Sequence, residues 1–434
     1  MNLMESERQV AIFGLGFIGL PLALSFALKG CRVIGVDVDE QLVQDLNKGV
    51  TYHLEAKDGI PIQQILKEQL AAGRFRATTD PEQATKSSTD VIVTVGVPVT
   101  DGIPDYSYIR AAVQTIASYL RPGQLVLIRS TVTPGTTRRL LQPILESSGL
   151  QAERDFYLAY ASERIAEGRA FEEFENMPTL VAGAGEKSLK RAREVLSIVT
   201  RAEIHEASSY EVVETAKVFE NISRDVDIAM VNEFAVFTKA IGIDIFEVIR
   251  LANTHKRVNL LQPGPGVGGY CLPNALYYLL PRALEANLNL RLLPVARRIN
   301  DETPRRIAGL ILKNLPVPPS RAKVAVLGIA MKDYSNDDRL SPALKVIQFL
   351  ESAGVTVAAY DPAVPHQYPF KVNSLEDALR GANGIAVLAR QKNIDYEKLT
   401  EFRKLMKEDP FIVDTRNVYN RRQAKAAGFR LETL

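Results

Sequence analysis

A cysteine that follows a glycine- and proline-rich stretch is the side chain of this sequence best suited to covalent chemistry. Cys271, one of only two cysteines among 434 residues, comes directly after Pro263 to Tyr270, a run with four glycines and two prolines. Glycine lets a backbone approach a ligand closely, and proline fixes the turns between. A thiol presented in this way is typical of a nucleophile, so we predict that Cys271 reacts with a substrate. The alternative interpretation is a tight loop with an incidental thiol.

Two other groups of polar residues have spacings that suit a site. Lys217, Asn221 and Arg224 lie at i, i+4 and i+7 of a predicted helix, so they share one face. Glu163 and Glu167 follow an apolar run, where α/β folds place ligand groups. Each group also has a plain structural interpretation: a solvated polar stripe on the helix, and carboxylates that cap the next helix.

A further pattern predicts a dinucleotide-binding site. Gly14, Gly16 and Gly19 follow a strand pattern and open a helical one, and Asp37 ends the next strand pattern. In that setting the first glycine makes the turn, the second admits the pyrophosphate, and the third packs helix on strand. The helix N-terminus supplies amide donors, and an acid at the second strand end binds the ribose hydroxyls and favours NAD over NADP. The alternative is a packing turn in an α/β domain.

Short apolar runs alternate with helical patterns in the first part of the chain. The runs lie at residues 10–13, 32–36, 91–95, 125–128, 156–160 and 179–181. This alternation predicts a parallel sheet covered by helices on both faces. From about residue 209 to 241 the pattern is that of one long helix, and we take Pro304 and the cluster 316–319 as the far boundary of a helical region.

The opening arrangement then returns without its three glycines. Strand patterns at 323–328 and 355–360 enclose a helical pattern at 342–353, and Asp361 ends the second strand. We therefore predict an α/β fold with two Rossmann-like, doubly wound parallel-sheet domains joined by a central helical region. The expected boundaries are 1–200 for an NAD-binding domain, 201–315 for the helical domain, and 316–434 for a second nucleotide-type domain that does not bind a dinucleotide.

Composition argues against several classes of partner. The chain has 53 Lys and Arg against 51 Asp and Glu, so its net charge of +2 gives no field for nucleic acid or a membrane surface. No apolar run approaches the roughly 20 residues of a membrane helix, and the polar start leads straight into a strand pattern. Two distant cysteines and four histidines show no zinc spacing. We expect a cytoplasmic protein without a metal.

Taken together, these residues resemble the UDP-glucose/GDP-mannose dehydrogenase family. The resemblance rests on the segments 14–23, 130–132, 162–164, 221–233, 264–271, 338–342 and 413–417. It implies a homodimer that oxidises C6 of a nucleotide sugar from alcohol to carboxylate with two NAD, in polysaccharide biosynthesis. The stretch 251–269 is most similar to the branch that acts on UDP-N-acetylmannosamine or UDP-N-acetylglucosamine.

The resemblance also implies roles for individual residues. Cys271 matches the nucleophile that forms a thiohemiacetal and then a thioester, Lys217 and Asn221 match the pair that stabilises the oxyanion, and Glu163 and Glu167 match loop acids of which one handles water or protons. Cofactor contacts are implied for Gly14, Gly16, Phe17, Ile18, Gly19, Asp37, Val97, Thr131 and Arg416. Substrate contacts are implied for Arg164, Ile165, Arg224, His255, Arg257, Gly268, Lys332 and Arg339, with His255 and Arg257 supplied by the partner subunit.

Four positions depart from the family pattern. Ala275 replaces an Asp four residues after the cysteine, Tyr270 replaces a His, Val99 replaces a Thr of the cofactor loop, and Met331 replaces an aromatic residue. Alanine has no proton chemistry, so one alternative is a diverged enzyme that stops at the aldehyde or makes a net redox-neutral change. Two others are a binding protein that has lost the reaction, and a Rossmann enzyme acting on a 2-hydroxy acid or hydroxyacyl compound, which leaves the last domain without a role.

Overall fold

Alternating buried strands and helices make up most of residues 8–165 and 168–434, the part of the chain that the computed structural model describes. The chain divides into two units. The first contains the residues up to Glu220 together with Tyr277–Leu288, and the second contains Asn221–Leu276 together with Asn289–Leu434. The three-domain boundaries expected from the sequence stay a prediction.

The first unit contains an eight-stranded sheet. From one edge to the other its strands are Phe75–Thr78, Arg32–Val36, Gln9–Phe13, Asp90–Val93, Leu125–Ile128, Tyr157–Ala161, Thr179–Gly183 and Ile204–Glu206. All neighbours are parallel except Tyr157–Ala161 and Thr179–Gly183. When the strands of this sheet are numbered along the chain, the first six lie side by side in the order 3-2-1-4-5-6, which is the dinucleotide-binding topology. The predicted doubly wound α/β fold is confirmed.

Helices cover this sheet on both faces. They span Gly19–Leu28, Glu40–Asn47, Ile62–Ala71, Pro81–Ser87, Ser107–Tyr119, Gln142–Glu146, Ala170–Asn176 and Glu186–Val199. A π-helical turn, Thr137–Leu141, precedes the sixth, and two short hairpins pair Ala56–Lys57 with Ile60–Pro61 and Val99–Thr100 with Ile103–Pro104. Because both faces are covered, central strands such as Leu125–Ile128 are buried at every position, and their sequences are continuous apolar runs.

Four helices follow the first sheet in the chain. They span Tyr210–Ala240, Ile245–Ala252, Cys271–Glu285 and Leu292–Asn314, so the long helix predicted at 209–241 is confirmed. The helical region ends at Asn314, just before the cluster 316–319 that was predicted as its far boundary. Pro304, the other predicted boundary residue, lies inside the last of the four helices, so that part of the prediction is wrong. A proline there leaves the carbonyl of Asn300 without its usual donor, and Gly266 packs against that carbonyl.

The second unit contains a five-stranded parallel sheet. Its strands in spatial order are Thr356–Tyr360, Lys323–Leu327, Gly384–Val387, Phe411–Asp414 and Arg430–Thr433. The order 2-1-3-4-5 is doubly wound but differs from that of the first sheet. A 3₁₀ turn, Pro319–Arg321, precedes the first strand in the chain. Four α-helices accompany the sheet: Pro342–Ser352, Leu375–Leu379, Leu399–Leu405 and Arg421–Ala426. Of the helices in the described ranges, none combines the length and the apolar character needed to cross a bilayer.

Candidate functional site

The glycine loop of the first unit has the shape of a phosphate cradle. Gly14 has φ of +94°, and a Cβ there would lie 3.2 Å from the backbone of Thr94. A Cβ on Gly19 would lie 1.8 Å from the Gly14 carbonyl, so any other residue would push the helix off the strand. Above Gly16 nothing lies within 4 Å of a Cβ position, which leaves open the volume that a pyrophosphate needs.

Asp37 completes this cradle at the end of the neighbouring strand. Its Oδ2 accepts the amide of Leu15 at 2.7 Å, and its Oδ1 accepts the amide of Asp39 at 3.1 Å. The carboxylate is half-buried and has lone pairs left for ribose hydroxyls. By contrast, Asp361 in the second unit is buried and accepts the amides of Ile329 and Ala330, among others, so it is used to hold its own loop.

The loop that carries Thr131 is held from three directions within the first unit. The Tyr160 hydroxyl donates to the Ser130 carbonyl at 3.1 Å, and that of Tyr106 to Thr133 Oγ1 at 2.5 Å. Further along, Glu214 accepts the amides of Gly135 at 2.5 Å and Thr137 at 2.9 Å.

Glu214 also ties this loop to the long helix. Its side chain is completely buried, and burial raises the pKa of its carboxyl. It lies three residues before Lys217, so both project from neighbouring positions on one side of the helix. Lys217 is half-buried, Asn221 is buried and Arg224 is exposed. The three side chains of the predicted face therefore differ in exposure, and only Arg224 lies at the surface.

Both carboxylate oxygens of Glu163 accept hydrogen bonds from other groups of the first unit. Arg129 donates through Nε and a terminal nitrogen to Glu163 Oε2, at 3.1 and 2.5 Å, and both side chains are buried. Glu163 Oε1 accepts the amides of Arg164 at 2.8 Å and Ile165 at 3.1 Å. The sequence did not predict a role for Arg129, because its partner Glu163 follows a different strand, 34 residues further along the chain. Glu167 lies outside the described residues.

The remaining predicted contacts of this unit are half-buried or buried. The guanidinium of Arg164 pairs with Glu220 at 2.8 Å and donates to the Pro178 carbonyl at 2.7 Å. Ile165 is half-buried, as are Phe17 and Ile18, whereas Val97 is buried and its carbonyl accepts the Tyr278 hydroxyl at 2.5 Å.

In the second unit, the glycine-rich stretch before Cys271 lies in a tight cradle. The Gly264 amide donates to Asn232 Oδ1 at 3.0 Å, and the Gly269 amide to the Arg339 carbonyl at 2.9 Å. A Cβ on Gly264 would lie 2.6 Å from the Arg416 guanidinium, and one on Gly269 would lie 2.4 Å from Met331 Sδ. A side chain at either position would displace the flexible end of Arg416 or of Met331, and Gly269 also has a φ of +76°, which favours glycine.

A buried polar network stands behind Asn232. The Asn232 amide donates to Asn300 Oδ1 at 3.4 Å, and Asn300 donates to the carboxylate of Asp225 at 2.9 Å. Arg297 pairs with the same carboxylate at 2.6 Å, and all four side chains are buried. Burial raises the pKa of Asp225, although the adjacent guanidinium opposes that shift. The network fixes Asn232, and through it the stretch that leads to the cysteine.

Cys271 itself is exposed and is the first residue of the helix Cys271–Glu285, a start that the loop interpretation did not predict. A helix N-terminus favours negative charge, which suits a thiolate or an oxyanion. Cys31, the other cysteine, is buried. Ala275 lies one helical turn beyond Cys271 and is also buried, so a methyl group occupies the position where the family pattern has an acid.

Three predicted cationic contacts lie in loops of the second unit: Lys332 and Arg339, predicted for the substrate, and Arg416, predicted for the cofactor. Arg339 donates to both carboxylate oxygens of Asp337, at 3.0 and 2.7 Å. Arg416 pairs with Asp333 at 2.8 Å. His255, Arg257 and Lys332 are exposed, as is Arg224, and Gly268 packs beside Pro342.

Comparison with known proteins decides the family. The chain matches three consecutive domains of the UDP-glucose/GDP-mannose dehydrogenase family: the NAD binding domain over residues 8–200, the central domain over 211–302 and the UDP binding domain over 325–421. The UDP-N-acetyl-D-mannosamine dehydrogenase of Pyrococcus horikoshii is 36% identical over 416 residues, which cover 94% of this chain and 96% of that protein. The chain belongs to the UDP-glucose/GDP-mannose dehydrogenase family.

Two other comparisons agree. An NDP-N-acetyl-D-galactosaminuronic acid dehydrogenase of Ralstonia nicotianae is 31% identical and is matched over 96% of this chain and 98% of its own length. The solved structure of UDP-D-ManNAc dehydrogenase from Pyrococcus horikoshii has a TM-score of 0.90 and 35% identity, with 98% of each chain covered. The resemblance predicted from the motifs is thus confirmed. This family member is an NAD-dependent nucleotide-sugar dehydrogenase, and the open cradle over Gly16 fits its cofactor.

Proposed function

We propose that this protein oxidises C6 of a UDP-N-acetylhexosamine, with UDP-N-acetylmannosamine as the first candidate, to the uronic acid. The relatives that support this choice are themselves named for N-acetylated sugars. The observation that carries the proposal is the exposed Cys271 at a helix start, behind a stretch of glycines that its neighbours hold in place.

The proposed mechanism needs four electrons to leave one carbon. NAD, when bound, accepts a hydride in each of two oxidations. In the first oxidation C6 loses a hydride and its hydroxyl loses a proton, which gives the aldehyde. The thiolate of Cys271 then adds to the aldehyde carbon, and loss of the second hydride converts this adduct into a thioester. Water cleaves the thioester, supplies the second carboxylate oxygen and returns the thiol.

The other predicted residues have supporting roles in this scheme. Lys217 and Asn221 stabilise the oxyanion of the tetrahedral species, because a cation and an amide donor offset charge that develops only there. Glu163 holds the backbone at Arg164 and Ile165, and Glu167 remains a predicted proton-handling acid. Cofactor contacts come from Gly14, Gly16, Phe17, Ile18, Gly19, Asp37, Val97, Thr131 and Arg416. Substrate contacts come from Arg164, Ile165, Arg224, His255, Arg257, Gly268, Lys332 and Arg339.

The test is the ratio of NADH to sugar. Purified protein is incubated with excess NAD and a limiting amount of UDP-N-acetylmannosamine, UDP-N-acetylglucosamine or UDP-glucose, and NADH is followed by absorbance. We expect two NADH per molecule of the preferred sugar. Cys271→Ser should abolish acid formation, whereas Cys31→Ala, at the buried cysteine, should retain it. No NADH with any of the three sugars would contradict the proposal.

One observation favours a second candidate. The methyl group of Ala275 occupies the position where the family pattern has an Asp, and it is buried. An enzyme without that acid could stop at the aldehyde or catalyse a net redox-neutral change on the nucleotide sugar. One NADH per sugar, or a changed sugar without net NADH, would favour this candidate, and a ratio of two would exclude it.

The same scheme includes a homodimer. Val212, Phe219, Phe234 and Phe237 recur at helical spacing along Tyr210–Ala240, and the two most exposed, Phe219 and Phe237, are 55% and 63% exposed. Apolar stripes of this length on a surface helix mark interaction sites. Sedimentation should report a dimer, and Phe219→Lys with Phe237→Lys should convert it to a monomer. A wild-type monomer would exclude this arrangement. The cytoplasmic location expected from the sequence stays a prediction.

A further inference from the structure

The segment 51–55, which we call the strap segment, has an inverted pattern of exposure. Its apolar side chains point outward, with Tyr52 and Leu54 exposed, and its polar side chains His53 and Glu55 point inward and are buried. The buried side chains of this segment are therefore the polar ones. Buried polar groups are retained where they have specific partners.

The two inward side chains bind two different parts of the first unit. Glu55 accepts the amides of Gly168 at 2.7 Å and Ala170 at 3.0 Å, the second at the start of the helix Ala170–Asn176. His53 Nε2 lies 3.1 Å from the Gly16 carbonyl, in the middle of the dinucleotide loop. Glu55 therefore anchors the strap segment, and His53 reaches from it to the loop.

The hydrogen bonds of His53 define its tautomer. A carbonyl only accepts, so Nε2 carries the proton, and Nδ1 accepts from the Thr51 hydroxyl at 2.7 Å. Burial lowers the pKa of His53 to about 4, against a weaker opposing effect of the bond to Gly16. The ring is therefore neutral at pH 7 and has both nitrogens engaged. Tyr52 stacks on it with centroids 4.3 Å apart, and Phe17 packs at 5.7 Å.

We infer that His53 is a positioning residue for the dinucleotide: by holding the Gly16 carbonyl, it sets the direction of the Phe17 amide toward the pyrophosphate. The carbonyl of Gly16 and the amide of Phe17 belong to one planar peptide unit, in which they point in opposite directions. Holding the carbonyl therefore fixes the amide. The Gly16 carbonyl also accepts the Leu20 amide at 3.3 Å, so the histidine bond adds a second restraint at the helix start.

This role differs from two more familiar ones. A histidine beside a pyrophosphate commonly acts as a cation, but His53 is neutral and both ring nitrogens already have partners. A purely structural core histidine would affect folding, whereas His53 contacts the one glycine over which the cradle is open. The inference concerns NAD binding alone, so it holds whichever sugar is the substrate and however far the oxidation goes.

The test compares two amides of different length. The side chain of His53→Gln places its NH₂ near the position of Nε2 and keeps the donor, while His53→Asn is one methylene shorter and cannot reach Gly16. NAD dissociation constants are measured by calorimetry without sugar. We expect His53→Gln to remain within about twofold of wild type and His53→Asn to bind NAD about 3- to 10-fold more weakly, the range for loss of one hydrogen bond. The KM for the nucleotide sugar should stay unchanged in both.

Two further measurements separate positioning from stability. Leu54→Gln, which alters the exposed side of the strap segment, should leave NAD affinity unchanged. In protein labelled at histidine with ¹⁵N, the imidazole of His53 should remain in the Nε2–H form from pH 8 to 5.5. Equal NAD affinity for the Gln and Asn variants, or a ring that gains a proton near pH 6.5, would overturn the inference. Loss of sugar oxidation with intact NAD affinities would contradict the proposed function but not this inference.

Discussion

The buried pair of Arg129 and Glu163 offers the sharpest test of how the first unit holds the backbone at Arg164 and Ile165. The two side chains are only 6% and 10% exposed, and the guanidinium makes two contacts with one carboxylate oxygen. Arg129→Met removes the positive partner but keeps most of the side-chain volume. Glu163 would then carry a buried charge whose remaining protein donors are the amides of Arg164 and Ile165.

The expected magnitude follows from that geometry. Removing one partner of a buried ion pair costs about 3–5 kcal/mol, because the other charge is left uncompensated. Two backbone donors remain on Glu163, so we expect the lower end, about 3 kcal/mol. For a unit of this size that corresponds to a fall in melting temperature of roughly 6–12 °C. Replacing both residues, with Met and Gln, removes both charges and should restore part of the loss.

The assay combines thermal unfolding with hydrogen exchange. Unfolding of a chain with two units is not two-state, so exchange in the peptide that contains the amides of Arg164 and Ile165 gives the local readout. Arg193→Met is the matched control, because its pair with Glu206 has the same kind of contact at 2.6 Å with side chains 53% and 43% exposed. That change should cost less than about 1 kcal/mol. The reasoning fails if Arg129→Met lowers the melting temperature no more than Arg193→Met does. It also fails if the loss of stability in the double replacement equals the sum of the losses in the two single ones.

Three other predictions follow from single contacts. Asp37→Ala should weaken NAD binding roughly 10- to 100-fold and narrow the preference for NAD over NADP, measured by calorimetry, because charge-assisted bonds are lost. His53→Gln should flatten the dependence of melting temperature on pH between 6.5 and 4. The folded histidine resists a proton that the unfolded chain accepts, so wild type loses stability as the pH falls through that window. Asn232→Ala should lower the melting temperature by an amount equivalent to about 1–3 kcal/mol, because the buried Gly264 amide loses its acceptor, while NAD affinity should be unchanged.

Local patterns along the chain were sufficient for the scaffold. The period of the apolar residues predicted the central strands and the helix Tyr210–Ala240, and three glycines predicted the turn that joins the first strand to the first helix. These predictions succeed because each depends on neighbours within a few residues, where helix and strand periods act. The motifs at Gly14 and Cys271 also led to the correct family, since several of them occur in one order along the chain.

The partners of the polar side chains could be known only from the folded chain. Arg129 meets Glu163 across 34 residues, His53 meets Gly16 across 37, and Asn232 meets Gly264 across 32. No period or spacing encodes such pairs, because they depend on which distant segments the tertiary fold brings together. Two local features were also not predicted. Cys271 begins a helix, whose first turn tolerates Pro273, and the buried Pro304 lies within another.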